Sequence, residues 1–203
     1  MNKPTNILFS GVGGQGIILA SDITAIVLMR SGLDVKKSEI HGMAQRGGSV
    51  IAHLRFGEKI HSPVIEKGTT DLLVSFEMLE SVRCLPYMKR KGTVILNTQK
   101  IPPLSVSTGA EQYPSNIDDQ LRDHGLEVKT VNALETAQSL GEIRTVNMVM
   151  TGVLSHFLPV DEHVFKDVIR ERIKKQFIEV NLEAFHRGRE IIGYKEKQTS
   201  RAP

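Results

Sequence analysis

The sequence predicts an α/β fold: a Rossmann-like, mostly parallel sheet with flanking helices and a helical C-terminal region. Three observations carry that expectation. Short apolar runs alternate with segments of helical period through the first 160 residues. A glycine-rich turn stands between the first such run and the first helical segment. A long amphipathic pattern then closes the chain from Asp161 onward.

Residues 6–10 (NILFS) form a short apolar run ending at glycine, and 17–30 keep an apolar pattern of helical length that stops at Ser31-Gly32. Residues 35–40 read as a second strand, so the first forty residues are expected to be a βαβ unit with parallel strands and a right-handed crossover. The polar, glycine-bearing stretch 41–48 follows as a loop. Val50, Ala52, Leu54 and Phe56 then alternate with Ser49, Ile51, His53 and Arg55, the period-two pattern of a half-buried strand. Residues 71–75 (DLLVS), a helix over 77–89 and a strand over 93–97 complete a second β-α-β unit.

Residues 98–115 hold three prolines and no clear period, which reads as a surface excursion and a candidate lid. A short helix over 116–124, a last strand over 126–131 and helices over 133–140 and 145–157 follow, ended by Pro159. From Asp161, a good N-cap type followed by acidic Glu162, the apolar positions keep a helical period for about thirty residues. That segment, about 161–193, either packs on its own domain or docks a partner. The basic stretch beyond His186 ends in a tail, 194–203, expected to be a disordered terminus.

At 203 residues without a linker-like segment, one domain over 1–203 is expected. The net charge of +3 is too small and too scattered to be a nucleic-acid footprint. Tryptophan is absent and aromatics are few, which argues against a base-stacking surface. No run approaches the roughly twenty apolar residues of a membrane helix, and the first residues lack a secretory pattern, so the expected location is cytoplasmic. Cys84 is the only cysteine, so the chain cannot ligate an iron–sulfur cluster by itself. Within a helical pattern it reads as a small buried hydrophobe.

Gly11, Gly13, Gly14, Gln15 and Gly16 (GVGGQG, 11–16) follow a strand and open a helix, the context in which a G-x-G-x-x-G match carries weight. The first glycine is expected to permit the tight turn, the middle ones to let a ligand approach, and Gly16 to let helix and strand pack closely. Free amides at the helix start would then point at an anion; otherwise the turn merely closes the βαβ unit. A nicotinamide dinucleotide site would also need an acid at the end of the second strand, and Glu39 is near that position.

His41, Gln45, Arg46, Gly47 and Gly48 form the other dense cluster, expected beside the glycine turn at the same sheet edge. Arg46 offers a planar fork for a carboxylate or phosphate, Gly47-Gly48 allow close backbone approach, and Gln45 and His41 add donors or acceptors. The role is ligand or subunit contact, against an ordinary salt bridge and an inert histidine. His61-Ser62 has no nucleophile elbow or ordered acid partner, so it predicts no hydrolase. The histidines lack zinc spacing, and Asp118-Asp119 and Asp161-Glu162 read as helix starts.

With GVGGQG, the run SEIHGMAQRGGSVIAHLRFG at 38–57 and SPVIEKGTTDLLVSFEMLESVR at 62–83, the chain resembles the gamma-type subunit or domain of 2-oxoacid:ferredoxin oxidoreductases. It is more closely similar to the small beta subunit of the indolepyruvate branch. The likeness extends to Asn147, Thr151-Gly152 and NLEAFHRG at 181–188. The resemblance implies oxidative decarboxylation of an aryl pyruvate with coenzyme A as co-substrate, giving an aryl acetyl-CoA and carbon dioxide while ferredoxin is reduced. It further implies that thiamine diphosphate and the iron–sulfur clusters belong to a large partner subunit and that this chain holds no cofactor tightly. The competing readings are a freestanding NAD(P)-linked oxidoreductase, resting on the glycine turn and Glu39, and a phosphate or nucleotide sensor.

Overall fold

The computed structural model describes the backbone of residues 3–41 and 48–199 and the side chains of 3–40 and 48–192. The strands are β1 (Thr5–Val12), β2 (Asp34–His41), β3 (Ser49–Gly57), β4 (Thr70–Ser75), β5 (Met88–Asn97) and β6 (Glu127–Val131). The helices are α1 (Ile17–Arg30), α2 (Met78–Arg83), α3 (Leu104–Ser107), α4 (Ile117–Asp123), α5 (Ala133–Ser139), α6 (Val146–Ser155), α7 (Glu162–Arg172) and α8 (Ile178–Thr199).

The strands form one six-stranded sheet in the order β2-β3-β1-β4-β5-β6. The β1–β4, β4–β5 and β5–β6 pairs are parallel, whereas β3 runs antiparallel to both its neighbours. The sheet is thus mostly parallel, as expected. Its first unit is not a simple βαβ: β2 points the same way as β1 but does not pair with it, because the β2–β3 hairpin folds back and inserts β3 between them. The residues explain this order. Val50, Ala52, His53, Leu54 and Phe56 of β3 are buried, drawn from both faces, and need cover on each side. Strand β2 carries Lys36, Lys37 and Glu39 and suits the sheet edge, where charge discourages further pairing.

Alternation along the central strands feeds two cores. Ile7, Phe9, Val74 and Ile95 pack on the face covered by α1 and α5–α8, while Leu8, Leu73, Val94 and Leu96 pack with Cys84 and Leu121 on the face covered by α2 and α4. Cys84 is fully buried, as expected, and burial pushes its thiol up to about 12.

Two helices differ from expectation. The segment 77–89 is helical only to Arg83, because Pro86 cannot donate to a helical ladder; a 3-10 turn at Leu85–Tyr87 leads into β5, which starts at Met88. The thirty-residue pattern from Asp161 is two helices, broken where Ile173 takes an extended backbone (φ −95°, ψ 139°). The period runs through the break because both helices bury onto one core, with Phe165 stacked on Phe185 at 5.3 Å. Asp161 does occupy the N-cap of α7, but its side chain makes no capping hydrogen bond. Helix α8 continues past residue 193 to Thr199, into the stretch expected to be a tail.

Among the described residues of the C-terminal helix, Leu182, Ala184, Phe185, Ile191 and Ile192 pack into the core. A Cβ placed on Gly152 of α6 would stand 2.1 Å from the Phe185 carbonyl oxygen, and one on Gly188 of α8 would stand 2.0 Å from that of Val149. The two helices therefore meet backbone to backbone, which only glycine permits.

Candidate functional site

The carboxyl ends of β1, β4 and β5 and the start of β3 lie together at one edge of the sheet, where the glycine turn sits. Gly48, the last residue of the 41–48 stretch, meets the turn there: the Gly13 amide donates to the Gly48 carbonyl at 2.9 Å. His41 is the last residue of β2, opposite Val50, and its side chain lies outside the described residues, as do Gln45, Arg46 and Gly47 entirely.

The glycines do different work from what the motif implies. Gly11 lies within β1 rather than in the turn, and its need is space: a Cβ would come within 2.7 Å of Gln15 Oε1 and 2.8 Å of Phe76 Cβ. Gly14 and Gly16 carry the positive φ angles, 105° and 78°. Gly16 caps α1 and also admits Asn147 of α6, whose Nδ2 would be 2.5 Å from a Cβ there. Gly16 thus serves a helix–helix contact rather than a helix–strand one.

Gln15 is bound into the framework. Its Oε1 accepts from the Val12 amide (2.8 Å), and its Nε2 donates to the Phe76 carbonyl (2.8 Å) and to Gln99 Oε1 (2.9 Å). One side chain thereby ties together the ends of β1, β4 and β5. Among the described residues, none accepts from the amides of Gly14, Gly16, Ile17 or Ile18, and α1 has no acidic residue in its first turn. That leaves the positive end of a 14-residue helix open to an anion.

A cavity of about 180 Å³ opens at this turn, lined by Gly14, Gln15, Gln99, Leu134, Ile143 and Arg144. Arg144 is a site residue that sequence reading missed. It lies 129 residues beyond Gln15, and no local motif marks it. Glu142 holds its guanidinium through two bonds of 2.8 and 2.5 Å, and the guanidinium stands 4.8 Å over the Phe177 ring. Asn147, 3% exposed, is the second residue of α6 nearby, and its Oδ1 has no hydrogen-bond partner among the described residues. Leaving such an acceptor unpaired costs about 1–3 kcal/mol.

Two buried carboxylates flank the same edge. Glu77 accepts from Tyr113 Oη (2.5 Å), the Ile101 amide (3.0 Å) and the Glu80 amide (2.9 Å). These bonds tie the proline-rich 98–115 stretch, read from sequence as a surface excursion and a candidate lid, to the start of α2. Glu80 accepts from Oγ of Ser49, the first residue of β3, at 2.5 Å, and burial holds its pKa above the usual carboxylate range.

Glu39 is not placed for a dinucleotide ribose. It lies on β2, separated from β1 by β3, and its carboxylate meets Lys37 Nζ at 2.6 Å. Lys37 also pairs with Asp22. Among the described residues, no group of three or more His, Cys, Asp or Glu side chains is arranged to hold a metal ion, and no helix is long and apolar enough to cross a membrane.

The profile of the pyruvate ferredoxin/flavodoxin oxidoreductase family matches residues 6–191 of this chain. Indolepyruvate oxidoreductase subunit IorB of Thermococcus kodakarensis is 38% identical over 201 residues, covering 94% of this chain and 99% of the relative. Among solved structures, the gamma subunit of keto/oxoacid ferredoxin oxidoreductase from Geobacter sulfurreducens matches with a TM-score of 0.69 at 22% identity, over 92% of this chain and 97% of that one. A 2-oxoglutarate:ferredoxin oxidoreductase from Magnetococcus marinus, with 2-oxoglutarate, coenzyme A and succinyl-CoA bound, matches with a TM-score of 0.73 at 21% identity; the likeness covers 94% of this chain and 31% of that longer one. By the family match across nearly its whole length, the chain belongs to the pyruvate ferredoxin/flavodoxin oxidoreductase family.

Proposed function

We propose that this chain is the cofactor-poor small subunit of a heteromeric, cytoplasmic indolepyruvate-type 2-oxoacid:ferredoxin oxidoreductase. The complex cleaves the C1–C2 bond of an aryl pyruvate, releases carbon dioxide, joins the acyl carbon to the thiol sulfur of coenzyme A and passes the electron pair to ferredoxin. The observation that carries this reading is the end-to-end match to a separate small subunit, 99% of whose length is covered.

The chain's own residues agree with a division of labour. Thiamine diphosphate and iron–sulfur clusters supply the carbanion and electron-transfer chemistry. A cluster needs several thiolates, and this chain has one cysteine, fully buried and hard to ionise. A cluster therefore does not fit here, and in this reading both the clusters and thiamine diphosphate belong to the large partner subunit. What this chain contributes is an anion-friendly edge: the open amides of α1 behind Gly14 and Gly16, held in place by Gln15, with the His41 to Gly48 loop beside them. The edge docks the large subunit and completes part of its site, where a phosphate or carboxylate of a substrate meets the amides.

The test is copurification of the tagged chain from its native cells with an assay of arylpyruvate- and coenzyme A-dependent ferredoxin reduction, repeated with Arg46→Ala. A large cluster-bearing partner with that activity is expected, and the variant should weaken assembly or turnover. A rise in the KM for coenzyme A alone would assign the loop to the ligand site. Unchanged assembly and unchanged kinetics would remove Arg46 from the reading, and a chain with no partner would end it.

A further inference from the structure

A second cavity, of about 240 Å³, shares Arg144 with the one at the glycine turn but is walled by different elements. Leu19 of α1 and Ile173 and Phe177 of the α7–α8 connection give it an apolar lining. Arg172 and Lys174 stand at its mouth, exposed and without an ion pair among the described residues. Arg144, by contrast, is already neutralised by Glu142. Asn147 lines the same cavity, 97% of its surface withdrawn from solvent, and its Oδ1 has no hydrogen-bond partner among the described residues.

We propose that this cavity binds a small aromatic carboxylate. An aromatic ring fits between Leu19, Ile173 and Phe177, where a polyphosphate would leave the apolar walls facing its charge. The carboxylate meets the two unpaired cations, which a purely aliphatic ligand would leave unused. Arg172 can grip it with its planar fork, and Lys174 adds a point charge. The amide of Asn147 supplies the directional contact: Nδ2 donates to the carboxylate, or Oδ1 accepts a ring N–H. The volume is below the roughly 300–1,000 Å³ of drug-sized pockets, which limits the acid to one or two rings. The ligand class is read from the cavity alone; that the natural ligand is an aryl acid of the reaction proposed above rests on that reading.

The full-length chain contains no tryptophan, so indole-3-acetate can be followed by its own fluorescence anisotropy without a competing indole. Saturable binding at one site is expected, with acetate and pyrophosphate unable to displace the ligand at equal concentration. The double variant Arg172→Ala/Lys174→Ala, on exposed positions, should weaken binding about tenfold or more, the size of one lost charge-assisted contact. Phe177→Leu should weaken it as well, with circular dichroism confirming that each variant is folded. The proposal is overturned by absence of saturable binding to the folded chain, by better displacement with pyrophosphate than with phenylacetate, or by a double variant that binds like the parent. Loss of the subunit reading, through a missing partner or missing ferredoxin reduction, would leave this binding result standing, and absence of binding would leave the subunit reading standing.

Discussion

At Gly16 the backbone sits at φ 78°, and a Cβ built there would stand 2.5 Å from Asn147 Nδ2. Gly16→Ala therefore adds a left-handed residue and overpacks the α1–α6 contact, and it should lower stability by roughly 2–4 kcal/mol. The urea midpoint reads this directly, and an unmoved midpoint would refute the account. His53 gives a second prediction. It is 1% exposed; its Nδ1 accepts from the Ile65 amide at 3.1 Å, Nε2 has no partner among the described residues, and burial lowers its pKa from 6.5. The unfolded chain thus takes up the proton first, so stability attributable to His53 should be constant well above pH 6.5 and fall as pH drops below it. Glu80, with a raised pKa, acts with the opposite sign at lower pH, so the measurement is the difference in urea midpoint between the parent and His53→Gln. A difference that does not change between about pH 8 and about pH 5 would show that His53 does not titrate with unfolding.

At the scale of elements, α6 and α8 depend on each other through Gly152 and Gly188. Gly188→Ala places a methyl group 2.0 Å from the Val149 carbonyl, where only a shift of one helix can relieve it. A loss of about 2–3 kcal/mol is expected, with faster tryptic cleavage at Arg187 and Arg189 as α8 loosens. Glu183→Ala on the exposed side of α8 should stay within about 0.5 kcal/mol of the parent. Equal cleavage rates for the parent and Gly188→Ala would contradict the backbone-to-backbone contact. Strand and helix existence was legible along most of the chain, since burial on one face imposes a period that local reading detects. The break between α7 and α8 was not, because both helices face the same core and the apolar period continues across Ile173. The short α2 was marked by Pro86, whose effect the apolar pattern of 77–89 concealed.

For the whole molecule, the insertion of β3 between β1 and β2 separates the glycine turn from the acidic residue that a dinucleotide fold would use. The isolated chain is accordingly expected to show no saturable binding of NAD⁺ or NADP⁺ by calorimetry. Binding that Glu39→Gln abolishes would reinstate the dehydrogenase reading. The same insertion puts Gly48 beside Gly13, an arrangement set by the β2–β3 hairpin rather than by the simple βαβ unit that the sequence predicts.

By itself the sequence determined the fold class, the position of the glycine turn, the burial of Cys84 and the lack of cluster ligands, since composition and short-range period express these directly. Only the tertiary structure decided the strand order, the spatial role of Gly11, the pinning of the 98–115 stretch through Tyr113 and Glu77, and the arrival of Arg144 and Asn147 beside α1. Each of those depends on contacts between residues far apart in the chain, where the free energy lies in packing and in paired polar groups that no local period records.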